Sequence, residues 1–341
     1  MKQRIEYMDL AKGICILLVV LYHICIAFHK EMPIGHVFKA IRIPLYFFLS
    51  GCFFKPYNGW LDFIKHKTNK LLIPFVFWFF LISMLFAYLY GQWGIPILTR
   101  KPIAFDHNLR NLVHGRFFIN LPIWFLLCLF ETNLLFYIIH AIAHKVFQRH
   151  RTLVIVVLSL MVGVIALLVN RQGISLPLFI NRAIASIPFF AFGYICFHNT
   201  GILKPSRYDK FIPLIIIALF LSLYFIAPRE NAMALTHVDT INYFTYHLSG
   251  CVGALLIILL SKWLKTIPII RWWGRYSIIT LILHGFFYLH IVYLGRRFHL
   301  LPDTWTSVLI TLCLTMLCCS SAIPIVKGFL PHVTAQKDLL K

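Results

Sequence analysis

About ten stretches of this chain are apolar for close to the length that crosses a bilayer, and the charged residues lie almost wholly between them. A crossing helix needs ~20 mostly apolar residues. Lipid offers the backbone no hydrogen-bond partner, so such stretches must be helical. The pattern predicts an all-α fold, a polytopic transmembrane helical bundle. The spans fall at 10–28, 40–54, 71–90, 122–143, 153–169, 179–197, 211–227, 241–260, 277–294 and 305–326. The second is short for a full crossing. An amphipathic stretch at 108–119 is expected to lie at the interface before the fourth. Composition agrees, with 60% hydrophobic and 13% charged residues, where a soluble domain carries ~25% charge. A water-soluble fold of this size could not hide so much apolar surface.

The 341 residues include 32 Lys and Arg against 11 Asp and Glu, a net charge of +21. Some chains this basic bind nucleic acid. Here the cations form no stripe or tail but short clusters between apolar runs, as in cytoplasmic membrane loops, so no nucleic-acid partner is expected. With the N-terminus inside, twenty of the 32 fall on the inner side. That bias predicts an N-in, C-in topology, and an even span count agrees. Asp9 opens the first apolar run and no small-residue cleavage site follows it, so the run reads as a retained span. Without internal repeats or low-complexity segments, residues 1–341 read as one membrane domain. The nine cysteines form no CxxC pair, which argues against zinc. No metal is expected.

Ionisable groups inside spans are costly and are candidates for function. The first span carries Asp9, Lys12 and His23. Lys12 and His23 are eleven residues apart, about three turns, so they share a face and lie ~16 Å apart along the axis. Asp9 is three residues before Lys12, near enough to pair with it. Lys12 could equally snorkel to the inner headgroups, and His23 could simply bond a neighbouring helix. A neutral histidine in a dry site can also serve as general base toward a hydroxyl, given a partner that orients its ring.

Four further groups stand out. Arg42 precedes an apolar run ending in Ser50 and Gly51. Its guanidinium suits an anion or carbonyl, while Ser-Gly favours close helix approach. Lys65, Lys67 and Lys70 form a basic cluster before the third span, fitted to lipid headgroups or to a phosphate-bearing cofactor. Trp124 and Glu131, seven residues apart, share a helix face, as do Ser277 and His284. A carboxylate in a run as apolar as that around Glu131 should face the bundle interior.

Taken in order, these pieces resemble the acyltransferase 3 family of membrane acyltransferases. Asp9-Leu10-Ala11-Lys12-Gly13 followed by Tyr22-His23 is similar to the family's first span, with its basic residue, ten intervening residues and histidine. Lys12 stands where many members have Arg. Pro44 through Gly51, Lys67 through Lys70, Trp124-Phe125-Leu126, Phe189 through Tyr194, and Gly274 through Ser277 with His284 follow in the family's order. Lys67 and Lys70 replace its paired Arg residues. The N-terminal part looks closest to a sugar O-acetylase branch, similar to fucose 4-O-acetylases. That branch often has His-Met-Pro where this chain has Arg42-Ile43-Pro44.

The resemblance implies a membrane O-acyltransferase that moves an acetyl group from acetyl-CoA to a hydroxyl of a cell-surface or exported glycan, or of a lipid-linked sugar, at the bacterial inner membrane. Lys12, Lys67 and Lys70 would hold the donor's phosphates, and Asp9 would fix Lys12. His23 would take the proton from the acceptor. Arg42, Ser277 or His284 would hold the developing oxyanion, with Ser50, Trp124 and Glu131 in support. A transporter or glycan flippase without acyl transfer is the alternative. It would favour broken helices at matched positions in two halves, and the sequence has no such symmetry.

Overall fold

The computed structural model of the chain describes residues 5–93, 105–116, 121–146, 148–201, 204, 206–228 and 240–340. Every regular element among them is helical. α1 (Glu6–Ala27) is followed by α2 (Gly35–Cys52). α3 (Trp60–Lys67) continues through a five-residue π-helical segment, Thr68–Leu72, into α4 (Ile73–Trp93). After the short α5 (Phe105–Val113) come α6 (Trp124–Val146), α7 (Arg151–Arg171), α8 (Ile180–His198), α9 (Ile212–Ile226) and α10 (Thr240–Leu264). The short α11 (Pro268–Arg275) leads into α12 (Ser277–Arg297) and α13 (Trp305–Phe329), and a tail follows through a 3₁₀ turn at His332–Thr334.

Nine helical segments among the described residues are long and apolar enough to cross a bilayer. The tenth expected span is α2, which holds Lys39 and Arg42 and is less apolar. It nonetheless runs beside α1 in the opposite direction. The Tyr46 hydroxyl donates to the Lys12 carbonyl, the Cys15 thiol to the Arg42 carbonyl, and Arg42 reaches up to Tyr22. Its 18 residues rise about 27 Å, nearly the ~30 Å of a hydrocarbon core. Most of α2 is buried against other helices, which is why it need not match lipid along its length. The third span differs from expectation in the other direction. Its helix begins at Trp60, so the lysine cluster lies on a helix rather than in a loop. The interfacial stretch is α5, which ends at Val113; residues 117–119 fall outside the described part.

Glycines decide where the innermost helices touch. A Cβ on Gly51 would overlap the Phe190 carbonyl, and one on Gly193 the Phe48 carbonyl, so α2 and α8 meet backbone to backbone. Gly13 and Gly274 do the same for α1 and α11, against the Ile270 and Asp9 carbonyls. Small residues permit this approach, which supplies the dispersion contacts that bind helices together in lipid. Phe54 fills the adjoining space, with the rings of Phe63, Phe136, His140, Phe190 and Tyr194 around it. Outward faces carry large apolar side chains, such as Leu160 on α7, Leu214 and Phe225 on α9, and Leu317 on α13. That is the arrangement a lipid solvent requires.

Both ends of the described chain lie at one end of the bundle. Glu6 pairs with Arg271 of α11, Lys327 donates to the Tyr276 hydroxyl after α11, and Lys70 pairs with Asp338 of the tail. This is the end that carries the basic loops.

Candidate active site

At the basic end a cavity of about 450 Å³ opens between α1, α2, the α3–α4 helix, α6 and the α11–α12 junction. Lys12, Lys67, Lys70 and Arg275 line it together with His66, and no carboxylate does so among the described residues. Deeper in, the lining becomes apolar, with Leu49, Phe125, Leu126, Leu129 and Leu281. The π-helical segment shapes the mouth, since its wider turn inserts one residue into the helical ladder. Asn69 there is buried and grips the tail. Its Oδ1 accepts from the Leu339 and Leu340 amides at 2.9 and 2.8 Å, and its Nδ2 donates to the Leu340 carbonyl at 2.9 Å. Lys70 contacts the Asp338 carboxylate at 2.7 Å and the Ala335 carbonyl at 3.1 Å. Trp78 donates to the Val333 carbonyl. The tail thus forms part of the wall, through Ala335 and Gln336. Tyr57 stacks on His66 at 4.2 Å. Burial of its ring, with the Asp338 and Asp62 carboxylates nearby, holds its phenol above the usual value.

A second cavity, of about 570 Å³, opens toward the opposite end between α1, α2 and α9. Tyr22, Cys25, Lys30, Lys39, Arg42 and Tyr224 are among its lining residues. Arg42 is 2% exposed. Its Nε donates to the Phe38 carbonyl at 3.3 Å, and its guanidinium carbon lies 3.4 Å from the centre of the Tyr22 ring. Tyr46, one turn further along α2, lines the first cavity. The two cavities therefore come within about one helical turn, ~6 Å, of each other along this helix.

A histidine pair stands beside that wall. The rings of His23 and His284 are centred 5.5 Å apart, and Tyr288 lies 6.3 Å from each. Tyr22, next to His23 with ring centres 5.4 Å apart, lines the second cavity. Leu281, one turn before His284, lines the first. His284 is fully buried. Its Nδ1 lies 2.9 Å from the Thr280 carbonyl oxygen. A carbonyl only accepts, so Nδ1 carries the proton, and when the ring is neutral Nε2 is the bare nitrogen. That Nε2 is buried without a hydrogen-bond partner among the described residues. The Thr280 carbonyl thus fixes the orientation of the His284 ring.

The remaining expected site residues divide. Lys12 lines the first cavity, its ammonium 4.8 Å from the Phe53 ring. Ser50 and Ser277 line it too, and Ser277 is hydrogen-bonded to the Tyr46 hydroxyl. Asp9 is buried where α1 meets Gly274. Trp124 and Glu131 share a face, as the spacing implies, but neither lines either of these cavities. Glu131 Oε1 accepts from the Phe179 amide at 3.4 Å, and Trp124 carries the Arg182 guanidinium 5.2 Å above its ring. Arg182, which also donates to the Gly115 carbonyl, escaped notice although it lies inside an apolar run, the signal that marked Glu131. Tyr288 left no signal, because an aromatic residue in an apolar helix reads as core. Among the described residues no three His, Cys, Asp or Glu side chains are grouped to hold a metal ion.

A family model described as the acyltransferase domain, that of acyltransferase 3, matches residues 5–323. Searches of curated proteins and of solved structures gave no match.

Proposed function

The chain belongs to the acyltransferase 3 family and is a membrane acyltransferase, and from that premise we propose that it transfers acetyl from acetyl-CoA to a hydroxyl of a surface or exported glycan. Residues 1–341 act as one transmembrane domain in this reading, set in the bacterial inner membrane with both termini inside. The positive-inside rule makes the basic end cytoplasmic, the side on which an acyl-CoA is made.

The observation that carries the reading is the pair of cavities that approach within about one turn of α2, with the His23 and His284 rings side by side next to them. The inner cavity supplies Lys12, Lys67, Lys70 and Arg275 for the phosphates of the donor. Its apolar depth suits the thioester arm. The outer cavity admits the acceptor. The hydroxyl loses its proton to the histidine pair as its oxygen attacks the thioester carbonyl. The new C–O bond forms, the C–S bond breaks, and the departing thiolate recovers the proton from the imidazolium. Of the oxyanion candidates, Ser277 lies seven residues before His284, about 10 Å lower on the axis. It suits the carrier rather than the reacting carbonyl. Arg42, stacked on the ring beside His23, is the candidate that stands near the pair. A sugar acceptor of the O-acetylase branch fits the N-terminal motif.

The test is transfer of labelled acetyl from acetyl-CoA to surface glycan in membranes holding parent, His23→Ala or His284→Ala protein. Each variant should lose about 100-fold or more in turnover with coenzyme A binding retained. Full acetylation by the His284→Ala protein would remove it from the mechanism. Glycan movement with no acetylation in the parent would favour the transporter alternative.

A further inference from the structure

We infer that the outer cavity selects an acceptor with its own negative charge, a carboxylate or phosphate next to the hydroxyl that is acylated. The inference rests on the reading of this cavity as the acceptor site. Lys39 and Arg42 are three residues apart on α2 and both line the cavity. Like charges at that spacing repel by about 0.2–0.5 kcal/mol, and an anion between them reverses the sign. Lys30, from the turn after α1, lines the cavity with them. The described lining offers one carboxylate, Glu31, which is exposed, against three cations, of which Arg42 is almost fully buried.

Topology does not explain these charges. Cations are disfavoured at the outer ends of spans, yet Lys30 stands in the α1–α2 connection and Lys39 and Arg42 on the first turns of α2. Tyr22 and Tyr224 add aromatic surfaces of the kind on which sugar rings pack. Arg42 lies against Tyr22, and Tyr22 against His23. An anion held by the cations would therefore set a neighbouring hydroxyl at the histidine pair. A lipid phosphate has the same charge, so the test separates the two sources.

Full-length protein in phosphatidylcholine nanodiscs is titrated, without donor, with an oligogalacturonate and with a maltooligosaccharide of equal length. The anionic sugar should bind about tenfold tighter or more. That preference should collapse in Lys30→Gln/Lys39→Gln protein and survive in Lys67→Ala/Lys70→Ala protein, whose change is confined to the donor side. Equal binding of both sugars, or an unchanged preference in the Lys30/Lys39 variant, overturns the inference. So does a preference abolished when phosphatidylglycerol replaces phosphatidylcholine, which would give the site to a headgroup. In turnover with acetyl-CoA, the Lys30/Lys39 variant should lose about tenfold or more in kcat/KM for the anionic sugar. Because binding is read without turnover, it stands even if acyl transfer fails, and the reverse also holds.

Discussion

At the scale of single residues, place in the bundle rather than burial distinguishes two of the ionisable groups. His284 and Glu131 are both buried in apolar helices and both keep one polar atom without a partner among the described residues. Only His284 borders the wall between the cavities. Glu131 instead accepts an amide at the start of α8, a bond that a neutral amide side chain can also accept. Glu131→Gln should therefore keep turnover within about twofold of the parent, where His284→Ala loses most of it. The same acetyl-transfer assay checks this, and a collapse in Glu131→Gln would place the carboxylate in the chemistry. The sequence identified both residues by one rule, a charge or imidazole inside an apolar run. It could not rank them, because the rule says nothing of what lies across the helix interface.

Helices and tail show a second level of control. Gly274 brings α11 against α1 at Asp9, where no Cβ fits. Gly274→Ala must push two backbones apart and should destabilise by about 1–3 kcal/mol. Size-exclusion chromatography after graded heating would show this as a lower midpoint. Gly201→Ala, with open space around it, should leave the midpoint unchanged. On the proposed donor role of the inner cavity, Asp338 of the tail would share Lys70 with an incoming phosphate. Asp338→Asn removes the competing charge while Asn69 still holds the tail backbone. Coenzyme A should then bind several-fold tighter at low salt, and the gain should shrink as salt screens the exposed pair. An unchanged affinity would leave the carboxylate a merely structural partner. Nothing in residues 332–340 announces this contact, since it depends on a π-turn more than 250 positions earlier.

For the whole molecule, α2 read as a tenth crossing beside the nine found among the described residues, together with the shared basic end, makes one prediction. Green fluorescent protein fused after Lys341 should fluoresce in bacterial cells, and alkaline phosphatase at the same place should be inactive. The opposite result would invert the donor and acceptor sides.

The apolar runs alone determined a helical membrane bundle, because lipid leaves a backbone no other way to satisfy its hydrogen bonds. They also placed Lys12, His23, the lysine pair and His284 in an order that marks the family. Tertiary structure decided which of these meet. His23 and His284 are 261 residues apart in the chain and 5.5 Å apart in space. Their approach belongs to the packing of α1 against α12, and the His284 ring is oriented by a backbone carbonyl of its own helix. A one-dimensional pattern reports the solvent each residue prefers. It does not report which neighbour, far off in the chain, removes that solvent.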